Sequence, residues 1–551
     1  MDAPFSMYGP DFPFAYDHWL KHPEGLGRIP VNRHGAKVAI IGAGIAGLVC
    51  GYELMRMGLR PVFYESGQLG GRLRSASFEG AEHMIAELGG MRFPTSSRSF
   101  YHYLDLMNLK TAPFPNPLTP AAGSTVIELE GERFYAKTLS DLPPIFQEVA
   151  QAYDSALEEG AHFSSLQAAI QRRDPNAIKA IWNPLVKAWD ERTFYDFITT
   201  SKAFRHLSFR HREIFGQVGF GTGGWDSDFS NTMLEILRVN VTACDTDQHL
   251  VIGGVEQLPK RLWSHEPEDL SYWPNGTSLQ KLNQGAPRPG AAKLFRDPEG
   301  LYVTDRRGHT DRFDAIVCTC QSWLLTTAID TQESLFSQPL WMALDRTRYM
   351  QSAKTFVMVD RPFWKDRHPE TGEDLMSMTL TDRLTRGTYL FDHGPDQPGV
   401  MCLSYSWMSD ALKVLPLDAE KRTELALSAL SKIYPDVDIK SHIRSNPITV
   451  SWENDPNFLG AFKGALPGHY RYNHRMYGHF MQQTLSPDHK GVFLAGDDIS
   501  WTPAWAEGAV QTALNAVWGV MNHFGGQSSL ANPGPGDVYP VWGPIDLDEL
   551  S

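Results

Sequence analysis

The chain opens its regular pattern with a short apolar run, Lys37-Val-Ala-Ile-Ile41, which reads as a strand buried on both faces. Gly42-Ala-Gly-Ile-Ala-Gly47 follows at once, and then Ile45, Leu48, Val49, Tyr52 and Met55 recur at helical spacing until Gly58. Pro61-Val-Phe-Tyr-Glu65 resumes an apolar strand. The pattern predicts further strands in IVCTC (316–320), QSAKTFVMV (351–359), SYSW (404–407) and GVFLAGDD (491–498), and a helix in TPAWAEGAVQTALNAVWGVM (502–521). Strands that alternate with helices in this way make an α/β chain with a parallel sheet at its centre.

Strand, glycine loop, helix and second strand form one βαβ unit. Gly42, Gly44 and Gly47 spell G-x-G-x-x-G, and Glu65 stands about 20 residues on, where an acid holds an adenosine ribose through its hydroxyls. Gly219, Gly221 and Gly224 repeat the spelling in GFGTGGWDSDF. There the preceding RHREIFGQV is charged and uneven, and no helix opens on the third glycine. That second motif reads as a tight turn before a helix at 231–237, so the chain has one dinucleotide site.

A length of 551 residues suggests roughly two to four domains. The net charge of −14 argues against a nucleic-acid or anionic-membrane partner and suits a cationic small molecule, although a solvated acidic surface gives the same figure. The five cysteines, without a C-x-x-C, fit a reducing compartment. No basic n-region or long apolar run appears, so the protein reads as soluble and cytoplasmic. No metal-ligating set is assigned.

Between NAD and FAD the residues after Glu65 decide: Ser66-Gly-Gln-Leu-Gly-Gly71-Arg72 gives E-x-x-x-x-G-G-R, two glycines for close backbone approach and a cation for phosphate. AELGGMRFP (86–94) again sets glycines beside an arginine. With LAGD and AWAEGAVQTALNA, these motifs resemble the flavin amine oxidase superfamily, within it the bacterial amino-acid 2-monooxygenase branch. The resemblance covers most of 35–525 and is weakest around 140–210 and 270–300.

That resemblance implies a discontinuous FAD-binding Rossmann-type domain (35–95, 235–325 and 485–525), a helical insertion (115–235) and a mixed-sheet substrate domain (325–485). Residues 1–34 and 526–551 read as extended arms that pack on the body or on the partner in a homodimer. The implied FAD contacts are Gly42, Gly44, Ala46, Gly47, Glu65, Ser66, Gly71 and Arg72. Gly90, Met91, Arg92, Asp497, Trp505 and Ala506 complete them, with Leu282 on an adenine-side strand SLQKL.

Oxidising an amino acid requires a grip on its α-carboxylate, and Arg92 is the natural planar fork, the alternative being an FAD-phosphate arginine. Lys354 sits inside an apolar strand, and the family places such a lysine beside the flavin; the bland reading is a lysine snorkelling to the surface. By resemblance Phe462 and Trp505 wall the substrate site, Trp407 lies towards the side-chain end, and Cys244 shapes access of O2 or water. Asp228, in WDSDF, supplies a carboxylate where the tryptophan enzymes are apolar. It implies a cationic substrate, L-lysine, though Asp226 and Asp228 also suit a turn or helix cap. The implied reaction converts L-lysine and O2 to 5-aminopentanamide, CO2 and water. A keto acid, ammonia and hydrogen peroxide form if the imino acid escapes. Alternatives are a tryptophan or phenylalanine 2-monooxygenase, a plain L-amino-acid oxidase, an NADPH-dependent hydroxylase and a non-catalytic flavoprotein.

Overall fold

The computed structural model describes residues 5–218 and 224–548. A five-stranded parallel sheet holds Arg288–Pro289, Arg60–Glu65, Lys37–Ile41, Ala315–Cys318 and Val492–Leu494 in that spatial order. Its central strand is apolar and buried from Val38 to Ile41 because both faces are covered. The helices Ile45–Arg56 and Ala506–His523 pack on each other beside it. The predicted βαβ unit thus forms as read, with Gly58 at φ +95 ending the first helix.

A seven-stranded mixed sheet is the second platform. Ile448–Ser451, Ser352–Val359, Gly399–Trp407, Gly387–Phe391, Met378–Thr381, Thr125–Leu129 and Glu132–Ala136 lie side by side in it. The last two strands correct the expected helical insertion at 115–235, whose first part is sheet. Thr125–Leu129 is buried throughout and pairs with Met378–Thr381, and the α-helices of this stretch begin only at Pro144.

The terminal segments pack on the body, and each carries a short helix. Tyr16–Lys21 and Pro535–Trp542 are short helices, and the Tyr16 hydroxyl donates to Asn515 Oδ1 at 2.7 Å on the helix Ala506–His523. Asp11 is fully buried and pairs with Arg238, whose guanidinium stacks over Trp182 and Trp501. Desolvating that pair is costly, so its survival depends on both partners staying together. No helix among the described residues is long and apolar enough to cross a membrane.

SLQKL is also not a strand. Leu279–Leu282 is a helical turn capped by Ser278, and Arg288–Pro289 takes the edge position beside Arg60–Glu65. A Ser before a short run with Lys and Gln offers its side chain to the backbone, which favours a cap over a ladder.

Candidate active site

One cavity of about 310 Å³ runs from the glycine loop to the mixed sheet. At the loop end, Gly42, Gly44, Ala46, Glu65 and Ser66 line it, followed by Gly71 and Arg72. The Glu65 carboxylate accepts from Ala43 N and Gly67 N, both at 2.7 Å, which ties the strand end to the loop. Burial pushes its pKa up, and each oxygen keeps capacity for a hydroxyl donor. A Cβ on Gly44 would meet nothing within 4 Å, so the backbone there faces open cavity. By contrast, Gly47 does not line the cavity; its Cβ would stand 2.2 Å from Gly42 O, so this glycine serves helix packing. These are the features that a dinucleotide needs: a bare backbone facing a helix N-terminus, and an acid for the ribose.

The middle of the cavity is built by close backbone approaches. Gly71 has φ +59, and its Cβ would lie 3.3 Å from Gly44 Cα. Arg72 spans the wall, donating to Ala461 O at 2.8 Å and pairing with Asp497. Asp497 also accepts from Ala504 N at 3.2 Å, and Ala504 is held at φ +71 where an L-residue is strained. Trp505 caps the helix Ala506–His523, and Ala506 and Ala509 open its N-terminus onto the cavity.

The mixed sheet supplies the chemistry at the other end. Lys354 and Tyr405 are cross-strand partners and therefore share a face, with Nζ 4.7 Å from the ring centre. Lys354 is 3% exposed, and its ammonium donates to Gly89 O at 2.6 Å and Glu87 O at 3.0 Å. Burial lowers its pKa to about 8, so a neutral amine is accessible near physiological pH. Arg92 lies within 5.7 Å of the Phe114 and Tyr405 rings and 5.8 Å of Tyr389, an aromatic enclosure that orients a planar cation. Lys354, Arg92, Trp407, Phe462 and Trp505 all line this one cavity, with Gly90 and Met91 between them and the loop.

Three more anticipated residues lie elsewhere. Asp228 is exposed and does not line the cavity, although its neighbour Phe229 does. Its carboxylate accepts from Ser409 N at 3.0 Å and Ser409 Oγ at 2.9 Å, capping the helix Met408–Val414 rather than its own. Asp226 accepts from Asp228 N, the bond of a local turn. Cys244 is fully buried beside Thr242 and off the cavity; burial pushes its thiol pKa well up, so it stays a neutral packing group. Leu282 packs against the core and touches no cavity wall. Gly219 and Gly221 lie outside the described residues; Gly224 lines the cavity, and a Cβ there would strike Arg386 Nη2 at 2.0 Å.

Sequence reasoning missed Lys463 and Glu235. Lys463 is buried, with Nζ bonded to Asn473 Oδ1 at 2.9 Å and to the carbonyls of Asp498 and Ser500. Its position inside GAFKG, next to Phe462, was the available signal. Glu235 is read from a helix of ordinary period and carries no motif.

The family model for flavin containing amine oxidoreductases matches residues 45–521. The chain belongs to that family. It is similar to tryptophan 2-monooxygenase from Pseudomonas savastanoi, 31% identical over 95% of this chain and 96% of the relative. The enzyme of the same name from Pantoea agglomerans pv. gypsophilae is 29% identical, over 91% of each chain. In fold the chain resembles cyclohexylamine oxidase from Brevibacterium oxydans, with a TM-score of 0.63 at 16% identity over 89% of this chain and all of that one. FAD is therefore the cofactor, and the glycine loop, Glu65, Arg72 and the 504–506 turn are the residues that fit it.

Proposed function

We propose that this enzyme oxidises an L-amino acid with a cationic side chain, L-lysine, and that it couples the oxidation to decarboxylation by O2. The observation that carries the reading is the joint presence of Arg92 and Lys354 in the cavity that also holds the dinucleotide loop. Arg92 grips the α-carboxylate through two parallel N–H donors. Lys354, amine-neutral in part near pH 8, takes or delivers a proton at the substrate's reacting end. The chemistry that FAD supplies when bound is two-electron oxidation of the amine and passage of the electrons to O2. Phe462 and Trp505 exclude water, which favours 5-aminopentanamide, CO2 and water over hydrolysis of the imino acid. The net charge of −14, with the exposed Asp228 next in sequence to the cavity-lining Phe229, favours a cation over a neutral side chain.

A second reading has a specific basis. Trp225, Phe229 and Trp407 line the cavity, and the relatives named above act on tryptophan by name. Product analysis by mass spectrometry after aerobic turnover separates the cases. L-lysine consumed to 5-aminopentanamide supports the proposal; a keto acid with hydrogen peroxide makes the enzyme an oxidase, and turnover of tryptophan alone overturns the lysine assignment.

A further inference from the structure

Backbone carbonyls hold the buried amine of Lys354. Its Nζ donates to Glu87 O at 3.0 Å and to Gly89 O at 2.6 Å. Two carbonyls take two N–H bonds, so one position at the nitrogen is left: a third N–H in the ammonium, a lone pair in the amine. Lys354 lines the cavity, so the orientation of that position depends on what fixes the segment from Glu87 to Gly89.

The Glu87 side chain fixes it. Glu87 ends the strand Ala81–Glu87 and pairs across a hairpin with Ser75, on the strand Ser75–Phe78. One carboxylate oxygen accepts from Ser75 Oγ at 2.7 Å and the other from Val255 N at 2.8 Å. Ser75 Oγ accepts from Glu256 N at 3.2 Å in turn, so the hairpin is clamped to the turn that carries Val255 and Glu256. A glutamine would satisfy both donors of this clamp through its amide, without the cost of desolvating an anion. The charge of Glu87 therefore exceeds what the clamp needs. Burial pushes its carboxyl up to about 7, against the bonds from Ser75 and Val255 and the attraction of Lys354, with Glu256 adding to the rise.

The charged and titratable groups around Lys354 identify where that charge acts. Cys402 and Tyr405 stand on the neighbouring strand Gly399–Trp407, and Arg92 follows the Glu87–Gly89 segment. Glu453 accepts from Ser352 N at 3.3 Å at the start of the Lys354 strand, and the strand on the other side, Ile448–Ser451, carries no ionisable group. Burial pushes the Cys402 thiol up to about 12, so it is neutral where Lys354 titrates. Arg92 repels the ammonium, which leaves Glu87 as the anion that supports it.

We infer that Glu87 is the positioning residue of Lys354: its clamped carboxylate sets the two carbonyls that orient the amine and supplies the negative charge that favours the protonated form. Glu87 does not line the cavity and acts only through Lys354. This rests on the proton role given to Lys354 above.

The test is the pH dependence of the limiting rate of anaerobic flavin reduction, with the L-amino acid that reduces the wild-type holoenzyme fastest. In Glu87→Gln, which keeps the clamp and removes the charge, the inflection should move to lower pH by roughly half a unit or more. A purely structural tie would change the rate alone, so an unmoved inflection in a folded, flavin-replete variant overturns the inference. A Lys354→Met variant that keeps the wild-type inflection removes the proton role of Lys354, and the inference with it; that outcome is distinct from an unmoved inflection in Glu87→Gln. If Glu87→Gln fails to fold, Ser75→Ala leaves the charge and loosens the clamp. Its limiting rate should fall by roughly 5-fold or more while the apparent affinity for the amino acid holds, and an unchanged rate overturns the inference.

Discussion

The ammonium of Lys354 donates to the carbonyl of Gly89 at 2.6 Å, three residues before Arg92 in the chain. One turn therefore ties the buried cation of the mixed sheet to the backbone that carries Arg92. Gly89 has no freedom in this arrangement, since a Cβ there would lie 1.6 Å from Arg72 O.

Lys354 should control the pH profile. Burial lowers its pKa from 10.5 to about 8, with Glu87 and Cys402 opposing the shift and Arg92 adding to it. Because the folded pKa is depressed, the ammonium form destabilises the fold below pH 8, and that cost is relieved as pH rises from 8 towards 10.5. Lys354→Met should therefore gain more in melting temperature at pH 7 than at pH 10. Flavin reduction should fall by about 10² or more, and its inflection near pH 8 should vanish. An inflection retained in the variant would assign it to Lys463, which burial also holds at about 8.

Two glycines of one motif should fail in different ways. Gly44→Val places its side chain in open cavity, so the protein should fold but purify colourless, without FAD. Gly47→Val drives a side chain into Gly42 O at 2.2 Å and should give little soluble protein. Visible absorbance and circular dichroism of both variants check this; yellow Gly44→Val protein would sink the assignment of the loop.

Removing the fork separates substrates by their carboxylate. Arg92→Ala should cost about 2–5 kcal/mol in kcat/KM for lysine, or roughly 30-fold and upwards. Reduction by cadaverine, which lacks the carboxylate, should change far less. Equal losses would make Arg92 a residue of the fold or of FAD binding.

Asp228 now carries two measurable roles. Loss of the cap on Met408–Val414 in Asp228→Ala should lower stability by about 1 kcal/mol. Its contribution to lysine turnover should fade as salt is raised, as expected of an exposed charge. A deficit that persists at about 1 M salt would place its carboxylate against the bound ammonium instead.

The βαβ unit and the motifs around Gly71, Arg92 and Asp497 were legible because each is a local pattern whose spacing states its own geometry. Lys354 was legible too, as a charge in a strand with no polar face. Glu235 was not: it sits on a helix of ordinary amphipathic period, and only the packing of Ala465 and Asn231 against it makes it a cavity acid. SLQKL was misread because its apolar residues are too few to outweigh the capping Ser278. The strands at 125–136 were hidden by a long helical segment that follows them, since their pairing partner Met378–Thr381 lies far away in sequence.

The most direct measurement is anaerobic mixing of the yellow holoenzyme with single amino acids, followed by the visible flavin absorbance. Rapid bleaching by L-lysine is expected, with slow bleaching by L-norleucine and L-tryptophan and none by NADPH. Bleaching by tryptophan in preference to lysine, or by NADPH, would contradict that expectation.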